Sequence, residues 1–280
     1  MSSPADRALF DALADATACA LTEAETTLPA DVRDAIERAA AQETSPVARR
    51  ELENIRENIR IAARERVPVC QDTGVPIVYL SLPPTVPLTP DLEAAVREGV
   101  RRATGTVPLR PNVVDPCTRA NRGDNTGRGM PAIHIQQGQE FTITVLPKGA
   151  GSENVSRVAM LLPSERSGIR RFVAETMLLA GGRPCPPVIL GVGIGGSFDR
   201  APALAKQALL RPIDTMDPFE KELFDTVNEL GIGPMGLGGD TTALAVKVCM
   251  EDCHTASLPV AVNVQCWASR RASRTVEVAR

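Results

Sequence analysis

Three cysteines, far apart in the chain, each stand in a setting of their own: Cys70 in C-Q-D-T-G, Cys185 in P-C-P-P and Cys266 in V-N-V-Q-C-W-A-S-R. None is half of a C-x-x-C pair. If they serve one site, the fold must gather three distant segments at one place, a demand that constrains topology more than any local pattern does. Isolated thiols of this kind suit an iron–sulfur cluster held by three thiolates, with one iron left open to a substrate.

The seven cysteines are an odd number, and the acidic, helix-like N-terminus has no basic-then-apolar leader. Free thiols and metal ligands in a reducing compartment are therefore expected over a disulfide framework, and the expected location is the cytoplasm. With 280 residues, 43% of them hydrophobic, the chain can bury a substantial core, and one domain over residues 1–280 is expected. The net charge is −3 and Lys and Arg are spread along the chain. Neither a nucleic-acid stripe nor a membrane segment is visible, which leaves small-molecule chemistry or protein contacts.

Apolar periodicity predicts three helices in an N-terminal region reaching to about residue 66: one on Leu9, Leu13, Ala16 and Ala20, one on Val32, Ile36 and Ala40, and one on Leu52, Ile55, Ile59 and Ala62. The third starts at Ser45-Pro46 and stops near Pro68, placing Cys70 on a helix-to-strand turn. A strand over 76–82, a helix from Asp91 and a polar loop from Arg110 to Met130 follow. The segments around Ile133-His134-Ile135 and 141–146, joined through Gly138, read as an antiparallel hairpin. Further helices are expected over 164–179, 201–210, 218–230 and 240–250, with strands over 187–192 and 258–264. Strands and helices do not alternate regularly, so the expected class is α+β, a helix-rich domain around a small, partly antiparallel sheet.

Several motifs have two readings. G-V-G-I-G-G at 191–196 formally satisfies G-x-G-x-x-G, but the second strand and acidic residue of a dinucleotide site do not follow it, and close backbone packing is the alternative. Cys249 and Cys253, with Cys19 and Cys117, read as buried or incidental thiols, since the chain's two histidines, His134 and His254, supply no complementary zinc pair. Asp72 either serves as a proton carrier beside a metal at Cys70 or caps the Asp-Thr-Gly turn. K-G-A-G-S-E-N at 148–154 and L-G-G-D-T-T-A-L at 237–244 are expected to open helices whose N–H groups favour carboxylates. Arg110, at the head of the polar loop, offers a fork for a carboxylate.

Together these segments, with Leu109-Arg110, N-T-G and P-A at 125–132, and H-T-A-S-L-P-V-A at 254–261, resemble the N-terminal domain of class I iron–sulfur fumarases. They equally resemble the α subunit of two-subunit fumarases and L(+)-tartrate dehydratases. The resemblance implies a hydro-lyase with a 4Fe-4S cluster on Cys70, Cys185 and Cys266. It implies dicarboxylate contacts from Gln71, Asp72, Arg110 and Gly151, and catalytic parts for Asp72 and His254. The family's second domain has no counterpart after Cys266, so a β subunit is implied, in a heterotetramer of two α and two β chains, with malate and fumarate as the expected substrate pair and L-tartrate as the alternative. Two other classes stay open at this point: a cluster-based sensor without turnover, and a nicotinamide enzyme built on Gly191 to Gly196.

Overall fold

The computed structural model describes residues 4–165 and 167–277. The chain divides into two compact units, the first formed by Met1–Pro29, Ile59–Gly149 and Arg270–Arg280, the second by Ala30–Asn58 and Ala150–Ser269.

In the first unit, helices α1 (Pro4–Thr26) and α4 (Pro90–Thr106) pack on a four-stranded sheet of β1 (Val75–Leu82), β2 (Ala132–Gln137), β3 (Thr142–Lys148) and β8 (Ala272–Thr275), in the order β2-β1-β3-β8. Alternate residues Val78, Leu80, Ile143 and Val145 meet Leu13, Leu21, Leu92, Val96 and Val100 of the helices in one core. The helices bury one stripe each, while β1 is covered on both faces from Pro76 to Leu80. The expected hairpin does not form. β2 runs parallel to β1 and β3 antiparallel to it, so β1 lies between the two segments. Both strands found a better neighbour than each other, which local sequence cannot report.

The second unit contains α2 (Ala30–Gln42), α5 (Ala150–Glu153), β4 (Arg157–Leu161), α6 (Gly168–Ala180), β5 (Val188–Gly196), α7 (Arg200–Ala208), α8 (Pro218–Asn228), β6 (Ala243–Cys253) and β7 (Leu258–Gln265). Helix α3 (Pro46–Glu65) begins in this unit, and the division falls within it. The sheet order is β4-β7-β5-β6, with β5 parallel to β6 and antiparallel to β7. The helix expected over 164–179 is α6; its expected first turn includes Arg166, outside the described residues.

One expectation fails here, and one open reading is decided. Residues 240–250 are expected as a helix but form most of β6, whose run from Ala243 to Val248 is buried throughout. A strand covered on both faces shows no alternation, and a continuous apolar run does not distinguish it from a helix. G-V-G-I-G-G is likewise the body of β5 and not a loop before a helix. A Cβ on Gly191 would stand 2.0 Å from the Ala205 carbonyl oxygen, and one on Gly193 2.0 Å from that of Ala201. These glycines let α7 lie directly on the strand, and the dinucleotide reading loses its loop.

The three N-terminal helices, the turn carrying Cys70, α4 and the long polar loop stand where expected. The class is α+β and helix-rich, with two small mixed sheets in place of one. No helix among the described residues is long and apolar enough to cross a membrane.

Candidate active site

In the first unit the turn between α3 and β1 presents Cys70, half-buried, followed by Gln71, exposed, and Asp72, half-buried. Cys70, Gln71 and Arg110 line one cavity of about 370 Å³, with Pro68, Thr73 and Pro108 completing its wall. Arg110 reaches it because the polar loop is tied back to C-Q-D-T-G. The Arg110 amide donates to Thr73 Oγ1 at 3.1 Å. Asn125 Nδ2 donates to the Arg110 carbonyl at 3.0 Å, and Asn125 Oδ1 accepts from the Asn112 amide at 2.8 Å. Asn112 Nδ2 in turn donates to the Gly74 carbonyl at 2.9 Å. Asn125 sits at φ 57°, a left-handed conformation that asparagine tolerates better than most residues. Arg97 of α4 anchors the far end of the loop through the Gly127 and Met130 carbonyls. Nothing in the local sequence marks Thr73, Asn112 and Asn125 beyond the N-T-G motif, because their use lies in contacts across the loop.

Asp72 caps its turn, one of its two expected readings. Its Oδ1 accepts from the Gly74 amide at 2.9 Å, the turn cap, while Oδ2 lies 3.1 Å from the point where a Cβ on Gly149 would stand. Its main-chain carbonyl accepts from Arg270 Nη2 at 2.9 Å. Arg270 Nη1 pairs with Glu25 Oε2 at 2.7 Å, both side chains being 1% exposed. The Glu25 carbonyl accepts from the Val69 amide at 2.8 Å. Burial raises the Glu25 carboxyl to about 7, outweighing the opposing pull of Arg270, and the charge of Asp72 adds to the rise. Glu25 Oε1 is buried with no hydrogen-bond partner among the described residues.

In the second unit Cys185 and Cys266 come together. Cys185 sits between Pro184 and Pro186 at φ 54°, in the connection from α6 to β5. Cys266 directly follows β7. The Trp267 amide donates to the Cys185 carbonyl at 3.4 Å. Gly151 stands beside the same connection, its Cβ position 3.8 Å from the Arg183 carbonyl oxygen. The exposed His254 lies before β7, so the strand separates it from Cys266 by roughly 25 Å. Its Nδ1 accepts from the Ala256 amide at 3.1 Å. The segment 237–244, expected to offer N–H groups to a ligand, spends them internally: buried Glu43 accepts from the Asp240 and Thr241 amides. It precedes a strand, not a helix.

Residues 14–275 match the family described as fumarate hydratase (Fumerase). The chain belongs to the class I fumarate hydratase family. Its members are hydro-lyases. A putative L(+)-tartrate dehydratase subunit alpha from Methanocaldococcus jannaschii is 48% identical over 269 residues, covering 91% of this chain and 94% of the relative. The L(+)-tartrate dehydratase subunit alpha of Escherichia coli (strain K12) is 33% identical, covering 90% of this chain and 86% of the relative. A putative fumarate hydratase class I from Geobacillus stearothermophilus is 35% identical over 90% of this chain but only 52% of its own length, so the chain spans about half of that protein.

The class I family is iron–sulfur dependent, and each unit of this chain offers thiols of the kind such a group takes, Cys70 in the first and Cys185 with Cys266 in the second. Cys70, Cys185 and Cys266 are half-buried and outside any disulfide. Cys266 Sγ accepts from Gln265 Nε2 at 3.6 Å and lies 3.9 Å from the Ala268 carbonyl oxygen. Ser269 Oγ, in the same turn, is buried without a hydrogen-bond partner among the described residues. No group of three or more His, Cys, Asp and Glu among the described residues is arranged around a single metal ion. A cluster asks for something else, because each thiolate takes a different iron. Burial pushes the Cys249 thiol up, away from the thiolate a ligand must be. Cys19, Cys117 and Cys253 are exposed, Cys117 in a turn capped by Asp115.

Proposed function

We propose that this chain is the α subunit of a two-subunit hydro-lyase that removes water from a hydroxy-dicarboxylate, with (S)-malate and fumarate as the substrate pair. The observation that supports the reading best is the cavity lined by Cys70, Gln71 and Arg110. A sensor has no use for a guanidinium and an amide beside its thiol, whereas a dicarboxylate needs both. Cys70, Cys185 and Cys266 hold a 4Fe-4S cluster in this reading. When bound, the cluster supplies a Lewis-acidic iron for the substrate's hydroxyl and carboxylate oxygens.

This chain's residues do the rest of its share. Arg110 binds a carboxylate through its fork, and Gln71 fixes the carboxylate's orientation by hydrogen bonding. Asp72, with Oδ1 held by the Gly74 amide, carries on its other oxygen the proton that turns the departing hydroxyl into water. Gly151, without a side chain beside the Cys185 connection, leaves room for the substrate to approach. His254, at the other end of β7 from Cys266, receives no step. A β subunit in an assembly of two α and two β chains provides the remaining contacts and the proton transfer at the neighbouring carbon.

L-tartrate as substrate is the second reading, favoured by the names of the M. jannaschii and E. coli relatives. The two substrates differ by one hydroxyl, and a site that pairs that hydroxyl rejects the analogue lacking it. Iron and acid-labile sulfide per α chain after anaerobic reconstitution test the ligand set. Single Ser replacements at Cys70, Cys185 and Cys266 are expected to abolish cluster retention, and Cys249→Ser to keep it; equal losses from all of them would remove the assignment. Turnover of malate against L-tartrate by the assembled enzyme then decides the substrate, and a fully loaded enzyme inert toward both would overturn the function.

A further inference from the structure

The most heavily buried charged group beside the candidate site has no part in the mechanism above. Arg270 and Glu25 are each 1% exposed, and a buried ion pair is a poor way to gain stability, since apolar residues of similar volume often do as well or better. Its connections point to another use. Arg270 holds Glu25 with one amine and the Asp72 carbonyl with the other, and the Glu25 main chain holds the Val69 amide. Both ends of the segment 69–72 are therefore fastened to the same pair. On the far side, the Gly149 backbone presents a Cβ position 3.1 Å from Asp72 Oδ2 and 3.6 Å from Arg270 Nη2. A side chain at this position would crowd the Asp72 carboxylate by a few tenths of an ångström while making ordinary contact with the guanidinium.

We propose that Glu25 and Arg270 are positioning residues for Asp72: the buried pair fixes the Asp72 main chain, and the bare Gly149 backbone leaves its Oδ2 the place from which it acts. The inference rests on the hydro-lyase reading for the meaning of that place, but the geometry it claims is measurable without turnover. In this role neither residue needs to touch substrate or cluster, since both side chains are 1% exposed.

The test uses the full α chain and, separately, the enzyme assembled with its β subunit, as wild type, Arg270→Met, Arg270→Lys and the double variant Glu25→Leu/Arg270→Met. The double variant removes the charge of both partners, so its urea midpoint is expected to stay near that of wild type even where Arg270→Met alone falls. In the α chain, hydrogen exchange of the Gly74 amide, whose proton Asp72 Oδ1 accepts, is expected to quicken roughly tenfold or more in both Met-containing variants. In the assembled enzyme kcat is expected to drop by roughly ten- to a hundredfold, with KM and iron content close to wild type, as for a displaced group that acts in the transition state. Arg270→Lys, which keeps the charge but not the fork, is expected to recover stability more than kcat.

A double variant with wild-type exchange at Gly74 and wild-type kcat would overturn the proposal and leave the pair a structural relic. A kcat that falls only in proportion to lost iron would overturn it as well. If the wild-type assembly turned over no hydroxy-dicarboxylate, the functional reading would fall by itself, while the exchange result would still decide whether the pair positions Asp72.

Discussion

Each unit of this chain buries a glutamate against a basic side chain, and the two carboxylates differ in opposite directions. Glu220, in the second unit, has all its oxygens occupied. Oε1 accepts from Arg211 Nη1 and the Val248 amide, and Oε2 from Lys247 Nζ and the Asp217 amide. Burial pushes its carboxyl up, but Lys247 and the two amides outweigh burial, and the net shift is downward. Glu25, in the first unit, has Arg270 on one oxygen and, among the described residues, no partner on the other, and burial wins, raising it to about 7. A carboxylate with every lone pair satisfied braces a fold. One left half-satisfied beside Asp72 holds a fastening whose purpose is positional, at a cost in stability.

The sharpest way to break that comparison is Glu220→Ala, which strands Lys247, 2% exposed, and ends the capping box with Asp217 at the start of α8. A loss of about 3–5 kcal/mol is expected from the urea midpoint. A loss under about 1 kcal/mol would mean that full satisfaction of the site counts for little.

Next in size is the pH dependence. Between the ordinary value near 4.5 and its folded value of about 7, Glu25 holds a proton in the folded chain that the unfolded chain has released. Stability from this group therefore declines as pH rises through that window, by on the order of 3 kcal/mol, and is level above it. Glu25→Gln, which imitates the protonated acid, is expected to flatten this slope. Glu220 has the opposite sign: its contribution is present above the ordinary carboxylate range and is lost as pH falls through its depressed value. Urea midpoints at several pH values measure both, and a slope that survives Glu25→Gln would assign it to another group.

The smallest expected effect belongs to a third buried carboxylate, Glu43, whose partners among the described residues are the main-chain amides of Ser45, Asp240 and Thr241 and no basic side chain. Glu43→Gln keeps one acceptor and loses the charge, and about 1–2 kcal/mol is expected. Equality with Glu220→Ala would show that amides alone satisfy a buried carboxylate as fully as Lys247 and Arg211 do.

Local pattern carried the helical first 65 residues, the Cys70 turn and the polar loop, because a helix stripe and a proline before a turn act over a few residues. It failed at β2 and β3, whose partners lie elsewhere in the chain, and at β5 and β6, where cover on both faces erased the alternation that marks a strand. The same division runs through the site. Cys70, Gln71, Asp72 and Arg110 were legible as residue types in distinctive settings. Thr73, Asn112 and Asn125 were not, since their part is to join the polar loop to C-Q-D-T-G. Arg270 and Glu25 carried no signal, for an arginine near a chain end and a glutamate late in a helix are ordinarily solvated.

By itself, then, the sequence determined the chemistry on offer: free thiols, a carboxylate two residues after Cys70 and an arginine fork, each chosen by residue type and neighbour. Tertiary structure decided which of the expected ligand-binding groups were already spent. The amides of 240 and 241 satisfy Glu43, and the glycines of β5 admit α7. The reason is that a buried polar group or a bare backbone must be matched by whatever lies against it in space, and that neighbour is fixed only when the chain has folded.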